Sequence, residues 1–355
     1  MKRIPTLDGW RGLAIALVLF DHIQHALLDG YMRPWTQTGQ HGVTIFFVLS
    51  GFLITSKLIE GPINPKRFYL RRFFRLMPAA WVYLAFLLLV SKLIGKSFTT
   101  PSGVLACVFF YRNYVGTWAG GATGHFWSLS LEEQFYLVWP CILLLAGMRR
   151  SRWIAAAGAI ACAAFRWVFW AHYDRNLLDN QSQVRADALL VGCLLAMLLA
   201  DGRVRSLAVR CSRFWVLPAC CALLFGIARF HWLPPLFESV SIALLIAATA
   251  LHRASWFARP FSFAPLAWIG TVSYSVYLWQ EFFTDFHSPW ALGIAMPLFA
   301  LASYYGIERP CTRLGHRLTS SKAPGSPVEE MSVAAVPDTN RRSLSADSLF
   351  PVEEK

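Results

Sequence analysis

About ten apolar stretches follow one another along this chain, each close to the ~20 residues that an α-helix needs to cross the hydrocarbon core of a bilayer. They lie near 10–29, 41–59, 77–95, 128–147, 153–171, 184–200, 214–230, 236–252, 268–286 and 289–307, with punctuation at Pro78, Pro101, Gly147, Gly202, Pro218, Pro234-Pro235, Pro260, Pro265 and Pro289. In hydrocarbon every backbone N–H and C=O must pair inside its own segment, so the expected fold is all-α, a polytopic membrane helical bundle of about ten transmembrane helices. The rest of the composition agrees. Of 355 residues, 56% are hydrophobic and 15% charged, and the mean hydropathy is +0.44.

The net charge of +13 would point to nucleic acid in a soluble protein. Here the basic residues gather in alternate loops: Lys2 and Arg3; Lys57 to Arg75; Arg149, Arg150 and Arg152; Arg203 to Arg213; Arg253 and Arg259. That asymmetry places those loops and both termini in the cytoplasm, in a plasma (inner) membrane, with the lipid bilayer and not nucleic acid as partner. Lys2 and Arg3 followed by Leu13 to Phe20 look like a signal peptide, but no small-residue cleavage site follows, so the segment is read as a retained first span. The eight cysteines show no metal or disulfide spacing and are read as small core residues. Residues 1–317 form one transmembrane domain. Residues 318–355, rich in Ser, Pro, Glu and Ala, read as a disordered cytoplasmic tail.

Arg11 and His22 stand out because ionisable residues inside a membrane are costly and usually face a protein interior or a watery cavity. Eleven helical residues are about three turns, so both project from nearly the same face, roughly 16 Å apart. His22 suits proton abstraction from a hydroxyl near neutral pH. Asp21, about 100° round the helix, is not its orienting partner. Between spans two and three, Asn64 is a plausible N-cap and Pro65 a first helical residue of an amphipathic helix on the cytoplasmic face, ending at Pro78. Its Arg72 and Arg75 share a face and can grip phosphate oxygens, or lipid headgroups. The run His125 to Tyr136 opens span four from outside, with Ser128 or Ser130 as a cap and Glu132 and Glu133 in the first turn; Trp127, Phe135 and Tyr136 resemble a cavity wall. Arg185 and Asp187 at the start of span six read most simply as a short-range ion pair, and Glu308-Arg309-Pro310 as a helix end. The loop from about 96 to 127 is too apolar to be free and is expected to dip into the membrane or cap a cavity; Trp35, Tyr111, Tyr114, Trp118 and Trp127 near the outside mouth suit sugar stacking or an interfacial belt.

Taken in order, Leu7-Asp8-Gly9-Trp10-Arg11-Gly12 with His22, Phe46 to Thr55, Arg72-x-x-Arg75 with Pro78, Trp127-Ser128-Leu129-Ser130-x-Glu132-x-Gln134-Phe135-Tyr136, Arg185 to Leu189, Ser273-Tyr274-Ser275 and Glu308-Arg309-Pro310 resemble the acyltransferase-3 family of integral membrane O-acyltransferases. The resemblance covers about Leu7 to Pro310. It implies ten core spans and transfer of an acyl group, usually acetyl from acetyl-CoA or another acyl-CoA, to a hydroxyl of a sugar, envelope glycan, glycolipid or macrocyclic natural product, without a metal. Arg11 and His22 match the family's essential pair, and Arg72 and Arg75 its second arginine motif. Two departures are visible: Gln280 stands where many members carry His, and no hydrolase-like domain follows span ten, so transfer is expected to be completed within the bundle.

These readings give a working scheme. Arg72 and Arg75, with Arg11, bind the acyl-CoA donor. His22 acts as base or as acyl carrier, with Arg11 and Glu132 beside it. Trp127, Ser130, Tyr136 and Arg185 contact the acceptor. The alternative is a secondary transporter of an anionic small molecule, although no repeated halves are visible.

Overall fold

In the computed structural model, residues 4–28, 38–61, 64–115, 121–172, 180–228 and 235–319 are described. Nearly all of this is helical: α1 (Pro5–Leu28), α2 (Thr38–Ile59), α3 (Pro65–Ile94), α4 (Pro101–Val108), α5 (Phe126–His172), α6 (Ser182–Arg185), α7 (Asp187–Leu199), α8 (Gly202–Ala228), α9 (Pro235–Leu251), α10 (Ala264–Thr284), α11 (Met296–Ser303) and α12 (Arg309–Thr319). Among the described residues there is no strand. Trp35 and Trp118 lie outside the described residues, as does the expected tail from 320 onward. The last helix runs to Thr319, two residues into that expected tail.

Four helical stretches are long and apolar enough to cross a membrane: Thr38–Ile59, Pro65–Ile94, Gly121–Phe169 and Ala291–Thr319. A bent pair, Gly202–Ser212 with Phe214–Leu223, makes a fifth. The protein is therefore an all-helical membrane protein with four or five such spans, and the count of ten is not reproduced at that standard. The shortfall has a physical cause. α7 and α9 are apolar but only 13 and 17 residues long, and α1 and α10 carry Asp8, Arg11, Asp21 and Glu281 in otherwise apolar surroundings. Large apolar side chains at Leu93, Leu145, Trp153 and Trp167 face outward, as a lipid-facing surface requires.

Local signals explain most of the helix ends. Asn64 caps α3, its side chain accepting from the Arg67 N–H at 3.0 Å, and Pro65 takes the first position. The same helix ends on Gly95, left-handed at φ 73°, whose N–H donates to Ser91. Gly147, at φ 69° and ψ 166°, breaks α5 between the two stretches read there. Pro78 is different. The expected break is absent, and α3 runs through it as a single 30-residue helix. A proline costs one backbone hydrogen bond inside a helix, while the apolar residues on either side gain from crossing as one rod about 45 Å long. The arginines therefore sit on one end of a membrane-length helix, not on a separate surface helix.

The core of the bundle is built on two close crossings. α1 packs along α10 and α2, and α2 packs along α7. At α2–α7 the backbones nearly touch: a Cβ on Gly51 would lie 2.0 Å from the Leu189 carbonyl oxygen, and one on Gly192 would lie 2.1 Å from that of Val48. Small residues allow this approach, the usual means of helix association where no hydrophobic driving force exists between helices. Elsewhere, α5 lies on α7, α8 on α9, and α12 on α3.

Candidate active site

Arg11 and His22 fall on α1 as expected, both half-buried. His22 Nδ1 lies 2.9 Å from the Val18 carbonyl. A carbonyl only accepts, so Nδ1 carries a proton, and in the neutral ring the lone pair is on Nε2. Around it, Leu19, Ile23 and Ala26 of α1 share a cluster with Leu278, Trp279, Phe282 and Phe283 of α10. His22 consequently faces the bundle, within electrostatic reach of Glu281. Asp21 lies 3.4 Å from Gln24 and 4.0 Å from His25 on α1, and its Oδ2 sits against Gly39 of α2.

At the other end of the same face, Arg11 lies 3.9 Å from Asp8, within reach of the charges of Arg75, Glu132 and Tyr136. The exposed Lys57 belongs to the same group, close to Arg75, Arg11 and Arg72. The two expected phosphate-gripping arginines are held differently. Arg72 donates through Nε and Nη2 to Glu133 Oε1 at 2.9 and 2.8 Å, and its guanidinium lies 3.1 Å over the Tyr136 ring. Arg75 makes no hydrogen bond or ion pair to another described side chain.

The run from His125 to Tyr136 is wired into the bundle more tightly than a capping reading requires. α5 begins at Phe126, so Glu132 and Glu133 stand in its second turn and neither serine caps it. Ser128 Oγ lies 2.6 Å from the Tyr277 hydroxyl and donates to the His125 carbonyl at 3.1 Å. Ser130, fully buried, accepts from the Arg112 backbone N–H at 3.2 Å and so fastens the 96–127 loop. Ser50 donates to Glu132 Oε1 at 2.8 Å. The loop folds into α4 and short turns against α5: Gln134 donates to Phe110 and Asn113, and Tyr83 donates to Ala122. Trp127 and Arg185 are brought together, with the guanidinium 5.7 Å from the ring.

The simple reading of Arg185 and Asp187 as partners fails. Asp187 pairs with Arg166 at 2.7 Å, and Arg185 donates to Gln40 at 2.6 Å. Arg185 and Asp187 are two positions apart, about 200° round a helix, so they project from nearly opposite sides, while α5 and α2 supply other partners. Glu308 is not a mere helix end either. It is buried in a π-helical segment, Tyr304–Glu308, and accepts from Ser275 Oγ at 2.8 Å. Gln280, at the departure from the family pattern, is fully buried with both side-chain polar atoms unpartnered.

Several ionisable groups escaped the sequence reading. His41 meets Glu238 at 2.9 Å, both buried, and His125 pairs with Glu281. The available signal was an ionisable residue inside an apolar stretch, as at Glu238 and Glu281. Pairwise hydrogen bonds and charge interactions link the polar groups into a track from one to the next. It runs from Lys57, Arg75 and Arg11 past Arg72–Glu133, Glu132 and Tyr136 to Tyr277, His125, Glu281 and His22. Among the described residues no group of three His, Cys, Asp or Glu could hold a metal ion.

The family profile described as an acyltransferase domain matches residues 4–307. The chain belongs to the acyltransferase-3 family. It is 29% identical to the peptidoglycan O-acetyltransferase OatA of Listeria monocytogenes over 79% of this chain and 49% of that protein. It is also 29% identical to a putative O-acetyltransferase of Staphylococcus aureus (89% and 58%) and to the putative peptidoglycan O-acetyltransferase YrhL of Bacillus subtilis (90% and 57%). This acyltransferase-3 chain thus spans about half the length of the curated relatives it matches. No solved structure matches it.

Proposed function

We propose that the chain is a membrane-embedded O-acyltransferase that moves an acetyl group from acyl-CoA to a hydroxyl of an envelope glycan, through ten spans with both termini in the cytoplasm. The observation that carries this reading is the track itself: cations at one end of the Arg11–His22 face, and an imidazole with a free Nε2 at the other. Names of the relatives support a glycan acceptor.

In this scheme Arg75, Lys57 and Arg11 take the phosphates of the donor at the cytoplasmic end. The pantetheine arm lies along α1, and its length is comparable with the ~16 Å between the two residues. His22 Nε2 takes the proton of the acceptor hydroxyl as its oxygen attacks the thioester carbonyl, the C–S bond breaks, and the thiolate leaves with CoA. Glu132, Trp127 and Arg185 line the acceptor's approach, while Tyr136 and Ser130 hold the frame around it. The test is His22→Ala in the purified full chain, with thiol release from acetyl-CoA measured in the presence of a peptidoglycan fragment. General-base contributions are typically ~100- to 10,000-fold, so turnover should fall by at least ~100-fold with donor binding retained. Full activity in the variant would sink the assignment.

A further inference from the structure

The Val18 carbonyl already holds the His22 ring through Nδ1, so what the ring lacks is a carboxylate to balance the charge it gains, and its sequence neighbour Asp21 is engaged with Gln24 and His25. Glu281 on α10 fits that need by position. Its Oε2 accepts two donations from one residue, the backbone N–H of His125 at 2.6 Å and the His125 ring Nδ1. Its Oε1 is pressed against Gly124, where a Cβ would lie only 2.5 Å away. The His125 ring is buried at 2% exposure and packed by Tyr83, Phe126 and Tyr277 at centroid distances of 5.7, 4.9 and 5.4 Å. Glu281 itself keeps 20% exposure, on the stretch of α10 that packs against Leu19 to Ala26 of α1.

We infer that Glu281 is the carboxylate that balances the protonated form of His22, and that Gly124 and His125 are positioning residues that hold Glu281 there. This rests on the reading of His22 as the base. A buried ring fixes one oxygen, and the glycine lets the carboxylate sit close to the turn before α5. His125 Nε2 has no hydrogen-bond partner and no solvent contact, so the ring cannot reach substrate and acts through Glu281. The other ionisable groups packed round Glu281 are Tyr83 on α3, Cys107 on α4, and Tyr277 and Asp285 at the end of α10. Apart from the acidic Asp285, these are ordinarily neutral.

The test compares kcat and the KM for acetyl-CoA in the full chain carrying Glu281→Gln, Gly124→Ala, His125→Ala or His125→Asn, with His22→Ala in parallel. Asn places an N–H donor where Nδ1 stood. Glu281→Gln, Gly124→Ala and His125→Ala should each lower kcat about tenfold or more with KM within about twofold, and His125→Asn should restore kcat to within about threefold of the parent. Equal loss in His125→Ala and His125→Asn, a change confined to KM, or unaltered kcat in Glu281→Gln would overturn the inference. Should His125→Ala fail to accumulate, the near-isosteric Glu281→Gln decides alone. An inactive His22→Ala beside a fully active Glu281→Gln rejects Glu281 while leaving the base intact. An active His22→Ala rejects the base reading itself.

Discussion

Arg72 and Arg75 are one helical turn apart, yet they meet different surroundings. Arg72 is committed to Glu133 and Tyr136, with side chains 18% and 13% exposed across the ion pair. Removing one partner of such a half-buried pair strands the other's charge, at a cost below the ~3–5 kcal/mol of a fully buried one. Arg72→Ala should therefore lower the thermal midpoint of the detergent-solubilised protein strongly, and Glu133→Gln should recover part of that loss in the double variant. Arg75→Ala should leave stability nearly unchanged and raise the KM for acetyl-CoA by about tenfold, equivalent to about 1.4 kcal/mol. A stable Arg72→Ala with raised KM alone would reverse these roles. Both arginines were legible in the sequence as a pair on one face. Their division was not, because Glu133 lies 61 positions away and pairing across that separation depends on how α3 and α5 meet.

At the scale of elements, the α2–α7 crossing depends on backbone approaching backbone. Gly192→Ala would put a methyl group against the Val48 carbonyl, where no flexible side-chain end can yield. Overpacking of this kind costs about 1–3 kcal/mol, so the variant should melt several degrees lower in detergent. Gly293→Ala is the control: a Cβ there meets nothing within 4 Å and should be neutral. Helix ends set by short-range chemistry, such as Asn64-Pro65 and Gly147, were readable because a cap or a left-handed residue acts within a few positions. Pro78 misled for the complementary reason. Its local cost is real, but a long apolar rod outweighs it.

Across the whole molecule, the basic bias of alternate loops predicts an orientation that can be tested directly. In a background with the native cysteines replaced, Lys96→Cys should react with a membrane-impermeant maleimide in intact cells, and Lys57→Cys only after permeabilisation. Labelling of both from outside would overturn the placement of the termini. Hydropathy and charge bias are sums along the chain, so composition alone established a helical membrane protein, and motif order established its likeness to a family. The face shared by Arg11 and His22 also followed from helical period alone. What only the tertiary structure decided is which charges meet: Glu281 with His125, Asp187 with Arg166, His41 with Glu238. The first and last of these pairs span 156 and 197 positions. A buried charge must find a partner to offset its lost hydration, but a one-dimensional pattern states only that need; the crossing of helices names the partner.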